Sequence, residues 1–410
     1  MPSKTSLDRV DRKASEIIAP SDRGKIQSAT GLSIEVVRSL DELQSHAFQW
    51  DELAFHADQQ LPMLSWAWVS SFLEHRLNAE TRWCCLFAYE GSQLIGVLPL
   101  VIASHKVLWF RRPVLRPPRD PHIQSVDILA EKGRETEVVQ SFMYLLEQVA
   151  PGWYCLEFEG VSAMSPALKV SRRISKLGMV LRNSSGTGSY IPTQGDFEKY
   201  FAGLSRNFRR NLTKASNKLS EFNHVETEFF TGGNAAPHYI ERFMKVEAAG
   251  WKGRGGSAIL MSPQLIAFYQ ALTSRLADRG KLEWHFLSAE GKTIAAHLAV
   301  RCGHSLVLWK IGYDEEFAQC APGSILLKHT IKRAFESGEI DEVNLVTNQS
   351  WHSNWKPHQR PYYDLWIYPL RPLPFIVGGL PKRSRIVLRR VPILRTAVRT
   401  VGRLLRGSAE

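Results

Sequence analysis

Cysteine is scarce in this chain of 410 residues, which holds five. Cys84, Cys85, Cys155, Cys302 and Cys320 are odd in number and show no paired metal-ligand spacing, so neither a disulfide framework nor a zinc site is expected, and no metal. They read as buried small hydrophobes in a reducing compartment. Cys84 and Cys85, adjacent on a strand, should point to opposite faces. Long apolar runs are missing too. No segment approaches about 20 apolar residues, the length of a spanning helix. The first 30 residues, rich in Ser, Lys, Arg and Asp, lack the apolar block of a signal peptide and read as a flexible arm. A cytoplasmic protein is the expectation.

Acidic residues are absent or nearly so from two stretches. The net charge of +12 gathers in the tail, residues 371–410, which holds ten basic residues and one acid, Glu410. Nucleic acid therefore need not be invoked for the body. Beyond Pro392, Arg395, Arg399, Arg403 and Arg406 fall on one side of a helical wheel, with Ile393, Leu394, Val398, Val401, Leu404 and Leu405 on the other. That pattern suits a helix lying on an anionic membrane surface, peripheral on the inner face, or one docked on protein. The second stretch runs from Lys199 to Lys218. There Leu204, Phe208, Leu212, Ala215, Leu219 and Phe222 recur at helical spacing, while Arg206, Arg210, Lys214 and Lys218 lie opposite with Arg209 nearby. The usual pairing with acids at i to i+4 is missing, so an anion-attracting patch competes with a plain solvated face.

What is present is a repeat. Glu290 to Ala296 lies opposite Glu90 to Gly96 at an offset of 200 residues, and each stretch reads as two strands joined by a tight turn. A helix precedes each hairpin, Trp68 to Arg76 and Phe268 to Leu276. With 44% hydrophobic content, the length suits two cores. The expected organisation is an arm at 1–30, a first domain at 31–190, a second at 191–370, and a basic tail at 371–410. Leu32 to Leu40 reads as a strand and Asp41 to Ala57 as a helix carrying Trp50. Lys106 to His122, rich in Arg and Pro, reads as a long loop with no regular element.

The second copy carries the chemistry. Leu306 to Tyr313 reads as a strand, Asp314 to Ala321 as a loop, and Pro322-Gly323-Ser324 as the start of a helix running to about Glu336. Free amides at such a start, backed by the helix dipole, suit a phosphate or pyrophosphate.

Glu247-x-x-x-Trp251-Lys252-Gly253, the hairpin Ile294-Ala295-Ala296, the strand ending Gly312-Tyr313-Asp314, and Pro322-Gly323 opening a helix together resemble the acetyltransferases of the GNAT superfamily, of the CelD/BcsL or BioF-like type. Ser205-x-x-x-Arg209-Arg210-x-Leu212 is similar to that family as well. The resemblance covers residues 32 to 370. It implies an α/β fold of two tandem GNAT-like domains, each a mixed, mainly antiparallel sheet flanked by helices, related to the FemAB transferases that append amino acids to cell-wall precursors. It also implies acetyl-CoA or another acyl-CoA as donor. Pantetheine would lie along Ile311 and Tyr313, and the phosphates at Gln319 and the amides of Gly323, Ser324 and Ile325. Arg206, Arg209, Arg210, Trp251, Lys252 and Trp355 would face substrate, a small-molecule or saccharide acceptor. The family name points to cellulose or other polysaccharide synthesis.

Two departures stand out. The family's phosphate loop reads Arg or Gln, two residues, Gly, one residue, Gly or Ala; here Gln319-Cys320-Ala321-Pro322-Gly323-Ser324 has Pro at the first Gly. Trp351-His352-Ser353-Asn354-Trp355 replaces Tyr-Lys-x-x-Trp, and exchanges a fixed cation for a titratable group. Acyl transfer needs a base and a donor to the developing oxyanion or leaving thiolate. Glu247 or His352 is the candidate base and Tyr313 the donor. The competing readings pair Glu247 with Lys252 or Arg242 and bury Tyr313 in the core. His297, alternating with apolar neighbours, reads as a core histidine. Two other functions stay open: aminoacyl transfer from charged tRNA held by the cationic helix, and a non-catalytic, membrane-associated assembly factor. Opposite the Pro-Gly helix start, the first copy offers Lys132-Gly133-Arg134-Glu135, which reads as structural.

Overall fold

The computed structural model describes residues 26–27, 31–119 and 126–390. Fourteen strands form one sheet: β1 (Ile26–Gln27), β2 (Ser33–Val37), β3 (Arg82–Glu90), β4 (Gln93–Val107), β5 (Phe110–Arg116), β6 (Leu129–Ala130), β7 (Cys155–Ser162), β8 (Gly178–Pro192), β9 (Glu226–Thr231), β10 (Leu282–Ala289), β11 (Lys292–Cys302), β12 (Ser305–Tyr313), β13 (Glu342–Asn344) and β14 (His358–Pro369). Their order is β1-β2-β3-β4-β5-β7-β14-β8-β13-β12-β11-β10-β9, with β6 added beside β4. All neighbours are antiparallel except β5 with β7 and β12 with β13.

The two repeated turns are the β3–β4 and β10–β11 hairpins. Positive φ at Gly91, and at Glu290 and Gly291, reverses the chain there. The helices Trp66–His75 and Pro263–Asp278 precede them and pack against each other, their apolar stripes merging into a core shared by both halves. The sheet has a further consequence of the repeat. The last strand of each half sits beside the other half's strands, β8 against β13 and β14 against β7, and β8 pairs with β14 along twelve positions. Neither half can leave without breaking its partner's sheet.

All five cysteines are free and buried. Cys85 lies in the shared core and Cys84 on the other face, in the core beneath the helix Glu135–Val149. Three expectations need correction. The stretch read as a loop from Lys106 to His122 contains the end of β4 and all of β5. Pro113 fits opposite Ser104 because it has no N–H to leave unpaired, and its carbonyl accepts from the Tyr154 amide at 2.7 Å. Ile26 and Gln27, placed in the arm, pair with Ile34 and Ser33 and cover the edge of β2. The helix expected from Asp41 to Ala57 breaks at Ser45 and His46 into Leu40–Gln44 and Ala47–Phe55. The segment from Pro392 onward lies outside the described residues.

Candidate active site

The site begins where two parallel strands part. β12 and β13 pair only over Ser305–Val307 and Glu342–Asn344, and β12 then runs on to Tyr313 paired with β11 alone. Trp309 is an extra residue in β12: Leu298 faces Lys310 while Ala299 faces Leu308, and this bulge bends the strand as it leaves β13. Ile311 is 38% exposed and Tyr313 half-buried along the freed edge.

The helix Tyr239–Ala248 crosses close beneath this edge. A side-chain carbon on Gly312 would come within 3.1 Å of the Glu247 Cα, so glycine there permits the approach. Gly253 is held more tightly, since a Cβ would lie 1.9 Å from the Ala248 carbonyl oxygen. These contacts explain the Glu-x-x-x-Trp-Lys-Gly spacing as a sharp turn folded against the end of β12. Within it Glu247 is buried. Its Oε1 accepts from Lys252 Nζ at 2.7 Å and its Oε2 from the Ile259 amide at 3.0 Å. Burial holds the Lys252 ammonium below its ordinary range, against the pull of Glu247. Arg242 is engaged elsewhere, with Glu228, Ser288 and Thr293. Trp251 stands 59% exposed beside the turn.

After Tyr313 the chain makes a 3-10 turn, Glu315–Cys320, then enters the helix Pro322–Ser337 through Ala321 in the left-handed region, φ 43°. That conformation aims the Ala321 carbonyl along the new helix, where it accepts from Ser324 at 2.9 Å and Ile325 at 3.1 Å. Of the three amides expected to be free, Ser324 and Ile325 are thus engaged. The Gly323 amide makes no hydrogen bond among the described residues, and the place of its missing Cβ is 3.5 Å from the Tyr313 ring. Ile325 is buried, Ser324 half-buried and Gln319 exposed.

The helix Arg206–Leu219 packs on this turn and on the following helix, with Phe222 against Phe317 at 5.6 Å. Ser205 caps it, accepting from Phe208 at 3.2 Å. Arg206, Arg210, Lys214 and Lys218 are exposed, and with Arg209 they form no ion pair among the described residues. Arg209 reaches the Leu204 carbonyl and Arg210 the side chain of Asn207. The helix packs through Leu212, Ala215 and Leu219, so its uncompensated cations face outward, with Lys218 at the end nearest Cys320.

His352 and Trp355 are elsewhere in character. His352 is buried, accepts from the Gln349 amide at 3.3 Å on Nδ1, and is hydrogen-bonded to the Thr347 backbone. Desolvation pulls its pKa down to about 4, so it is neutral at physiological pH and serves as a cap for the turn Ser350–Trp355. Trp355, expected to face substrate, is a core residue. Its ring is buried edge-on to Phe208 at 5.0 Å, and its carbonyl accepts from Tyr200 Oη at 2.7 Å. His297 is buried as expected, 3.4 Å from Thr330 Oγ1, and burial keeps it neutral.

Sequence reasoning missed the cations that hold the lip. Lys292 Nζ lies 2.7 Å from both Asp314 and Glu316, and Arg254 pairs with Glu315. Three consecutive acids directly after the strand were the available signal. Buried Glu283 and His285, with Arg333 reaching Glu283 from the helix Pro322–Ser337, were missed as well. Among the described residues no cluster suits a metal.

The first half shows the same place filled. The Glu135 carboxylate accepts from the Gly133 amide at 3.0 Å and from Lys169, so the chain's own anion occupies the helix start. A cleft of about 530 Å³ opens beside it, between Glu52, Asp58, Gln93 and Lys169. Asp58 within it pairs with Lys132 and Lys169.

Residues 206–357 match the family model for the acetyltransferase (GNAT) domain. The splayed strands, the bulge and the Gly323 helix start all fall inside that match. A search of curated proteins returned no match. Among solved structures, FemX is similar with a TM-score of 0.56 at 9% identity, covering 84% of this chain and 99% of its own. The C-terminal domain of a putative lysylphosphatidylglycerol synthetase from Agrobacterium fabrum gives 0.48 at 11% identity, over 80% of this chain and 92% of its own. A tandem GNAT protein from the clavulanic acid biosynthesis pathway gives 0.42 at 12%, over 81% and 98%. The α/β fold, a mixed and mostly antiparallel sheet flanked by helices, is thus shared with FemX along nearly the whole of that protein. Over residues 206–357 the second half is thus similar to the GNAT acetyltransferase domain.

Proposed function

We propose that this protein moves an acyl group from acyl-CoA to an amine or hydroxyl acceptor at a single site in the second half, residues 191–370, with the first half, residues 31–190, as its structural partner. The observation that carries the reading is the parting of β12 from β13 beside a helix start whose Gly323 amide is open. Pantetheine fits the freed edge at Ile311 and Tyr313, whose backbone groups have no strand beside them on that side. The phosphates fit the Gly323 amide, with Gln319 on the preceding turn and Lys218 near Cys320.

Glu247 is a carboxylate packed against this edge, its Cα 3.1 Å from where a Cβ on Gly312 would stand. Each of its oxygens accepts one hydrogen bond and keeps a lone pair, so it can take the acceptor's proton as the nitrogen or oxygen attacks the thioester carbonyl. Tyr313, whose ring lies against Gly323, donates to the thiolate that leaves. Trp251 and Lys252 then border the acceptor side. Nothing in these residues selects a sugar, so a role in polysaccharide synthesis rests on the sequence resemblance alone.

The test is release of free CoA from acetyl-CoA in the presence of a panel of amines and alcohols, in wild type and in Glu247→Gln and Tyr313→Phe. Acceptor-dependent release that falls at least a hundredfold in Glu247→Gln supports the reading; release unchanged in both variants contradicts it. A second reading, aminoacyl transfer from charged tRNA, is favoured by one observation, the unpaired cations of the helix Arg206–Leu219. Binding of tRNA there would weaken steeply with salt, in proportion to the phosphates contacted.

A further inference from the structure

We propose that the β4–β5 hairpin tip and the outer face of the C-terminal helix form one docking surface for an anionic lipid bilayer. Leu108, Trp109 and Phe110 make the tip and are 50%, 85% and 58% exposed. Leu108 sits in the left-handed region, φ 55°, so the turn carries three apolar side chains outward where a polar turn would ordinarily stand. Soluble surfaces scatter such residues singly; three in a row at a projecting turn need a partner.

A second element continues the surface. After β14 the chain enters a π-helical turn, Pro374–Gly379, and the helix Leu380–Arg390. Ile386 belongs to the same buried cluster as Val107, which pairs with Phe110 beside the turn, and that cluster also holds Tyr154, Cys155 and Trp366. The opposite face of this helical segment presents Ile376, Leu380, Val387 and Leu388, all exposed. The tip and this face are therefore braced on the same small core.

Charge identifies the occupant. Lys106 and Arg111 flank the tip, and Arg383 and Arg385 stand on the helix, all exposed. No acid occurs on β4, β5 or residues 371–390. The nearest acids are spoken for: Glu157 lies near Lys382, which itself stacks on Trp366 at 3.7 Å, and Glu147 binds Arg371 at 2.7 Å. Apolar wedges ringed by uncompensated cations match lipid chains beneath anionic headgroups. A protein groove would need complementary acids, whereas a bilayer supplies them at any orientation. Followed strand by strand from β5 to β12, the tip lies on the edge of the sheet where β12 ends at Tyr313.

The experiment is co-sedimentation of the full chain with vesicles of phosphatidylcholine and of phosphatidylcholine with 30 mol% phosphatidylglycerol, a composition on the order of an anionic leaflet. Wild type should bind the anionic vesicles at least tenfold more tightly than the neutral ones. Leu108→Ser/Trp109→Ser/Phe110→Ser should lose at least tenfold while keeping its melting temperature. Trp109→Phe should still bind but lose the part of the fluorescence quenching by chain-brominated lipid that Trp109 contributes. No binding by wild type overturns the proposal. So does full binding by the triple variant, which would assign the interaction to the basic residues 391–410 instead.

Discussion

Trp68 and Phe268 stand 200 residues apart in the sequence and meet edge to face in the structure, ring centroids 6.2 Å apart at an angle of 83°. Both are fully buried where the helices preceding the two hairpins cross. Truncating either to Ala should cost about 3–5 kcal/mol. The double-mutant cycle should show a coupling of about 0.5–1.5 kcal/mol beyond the single losses. Urea unfolding of the four proteins checks both figures.

Glu247 and Lys252 test the turn at the site. Lys252→Met removes the cation from a buried carboxylate and should destabilise by about 3 kcal/mol, while Glu247→Gln/Lys252→Met should recover much of that loss. If the pair were merely a surface contact, Lys252→Met would cost under about 1 kcal/mol. Chemical denaturation distinguishes the two results.

His352 sets a pH dependence with a definite sign. Its pKa is about 4 in the fold, below the ordinary value of 6.5, so the unfolded chain takes up its proton first as pH falls. Its stabilising contribution is complete above about pH 6.5 and is lost as pH drops toward 4. Buried His285 and His297, both held below 6.5, act in the same direction. Asp51 and Asp127, pushed up by burial to about 6 and about 7, act oppositely, their contributions fading as pH rises through those values. The difference between wild type and His352→Gln isolates one group. It should shrink between pH 7 and pH 5, as followed by denaturant unfolding at each pH.

The cations of the helix Arg206–Leu219 have no acid to lose. Arg206→Gln/Arg210→Gln/Lys214→Gln should leave stability within about 0.5 kcal/mol of wild type. Donor binding should weaken several-fold at low salt, and the gap should close as salt is raised. Equal affinity in both proteins at low salt would remove this face from the site.

The sequence displayed much of this architecture because the two hairpins and the Pro322 helix start are local patterns, each written in a few adjacent residues. The cationic helix was legible for the same reason. The exchange of β8 and β14 between the halves was not legible, since strand pairing across 170 residues leaves no mark on local periodicity. β5 was hidden by Pro113 and its flanking arginines, which look like loop residues until the partner strand shows that no N–H is needed there. Trp355 and His352 misled because aromatic and imidazole groups suit a site and a core equally well, and only the packing against Phe208 and the cap on Gln349 decide. Ala321 has no sequence signature for the left-handed turn that engages two of the three helix amides.

The most direct test is thermal stabilisation by acetyl-CoA and by CoA in wild type and in Gly323→Glu. The new side chain has room beside Tyr313 and would place a carboxylate where phosphate should sit. A ligand at 100 times its dissociation constant, binding only the native state, adds about 2.7 kcal/mol. The account predicts a clear rise in melting temperature in wild type that vanishes in the variant while the unliganded variant melts near wild type. No rise in wild type, or an equal rise in both proteins, would contradict it.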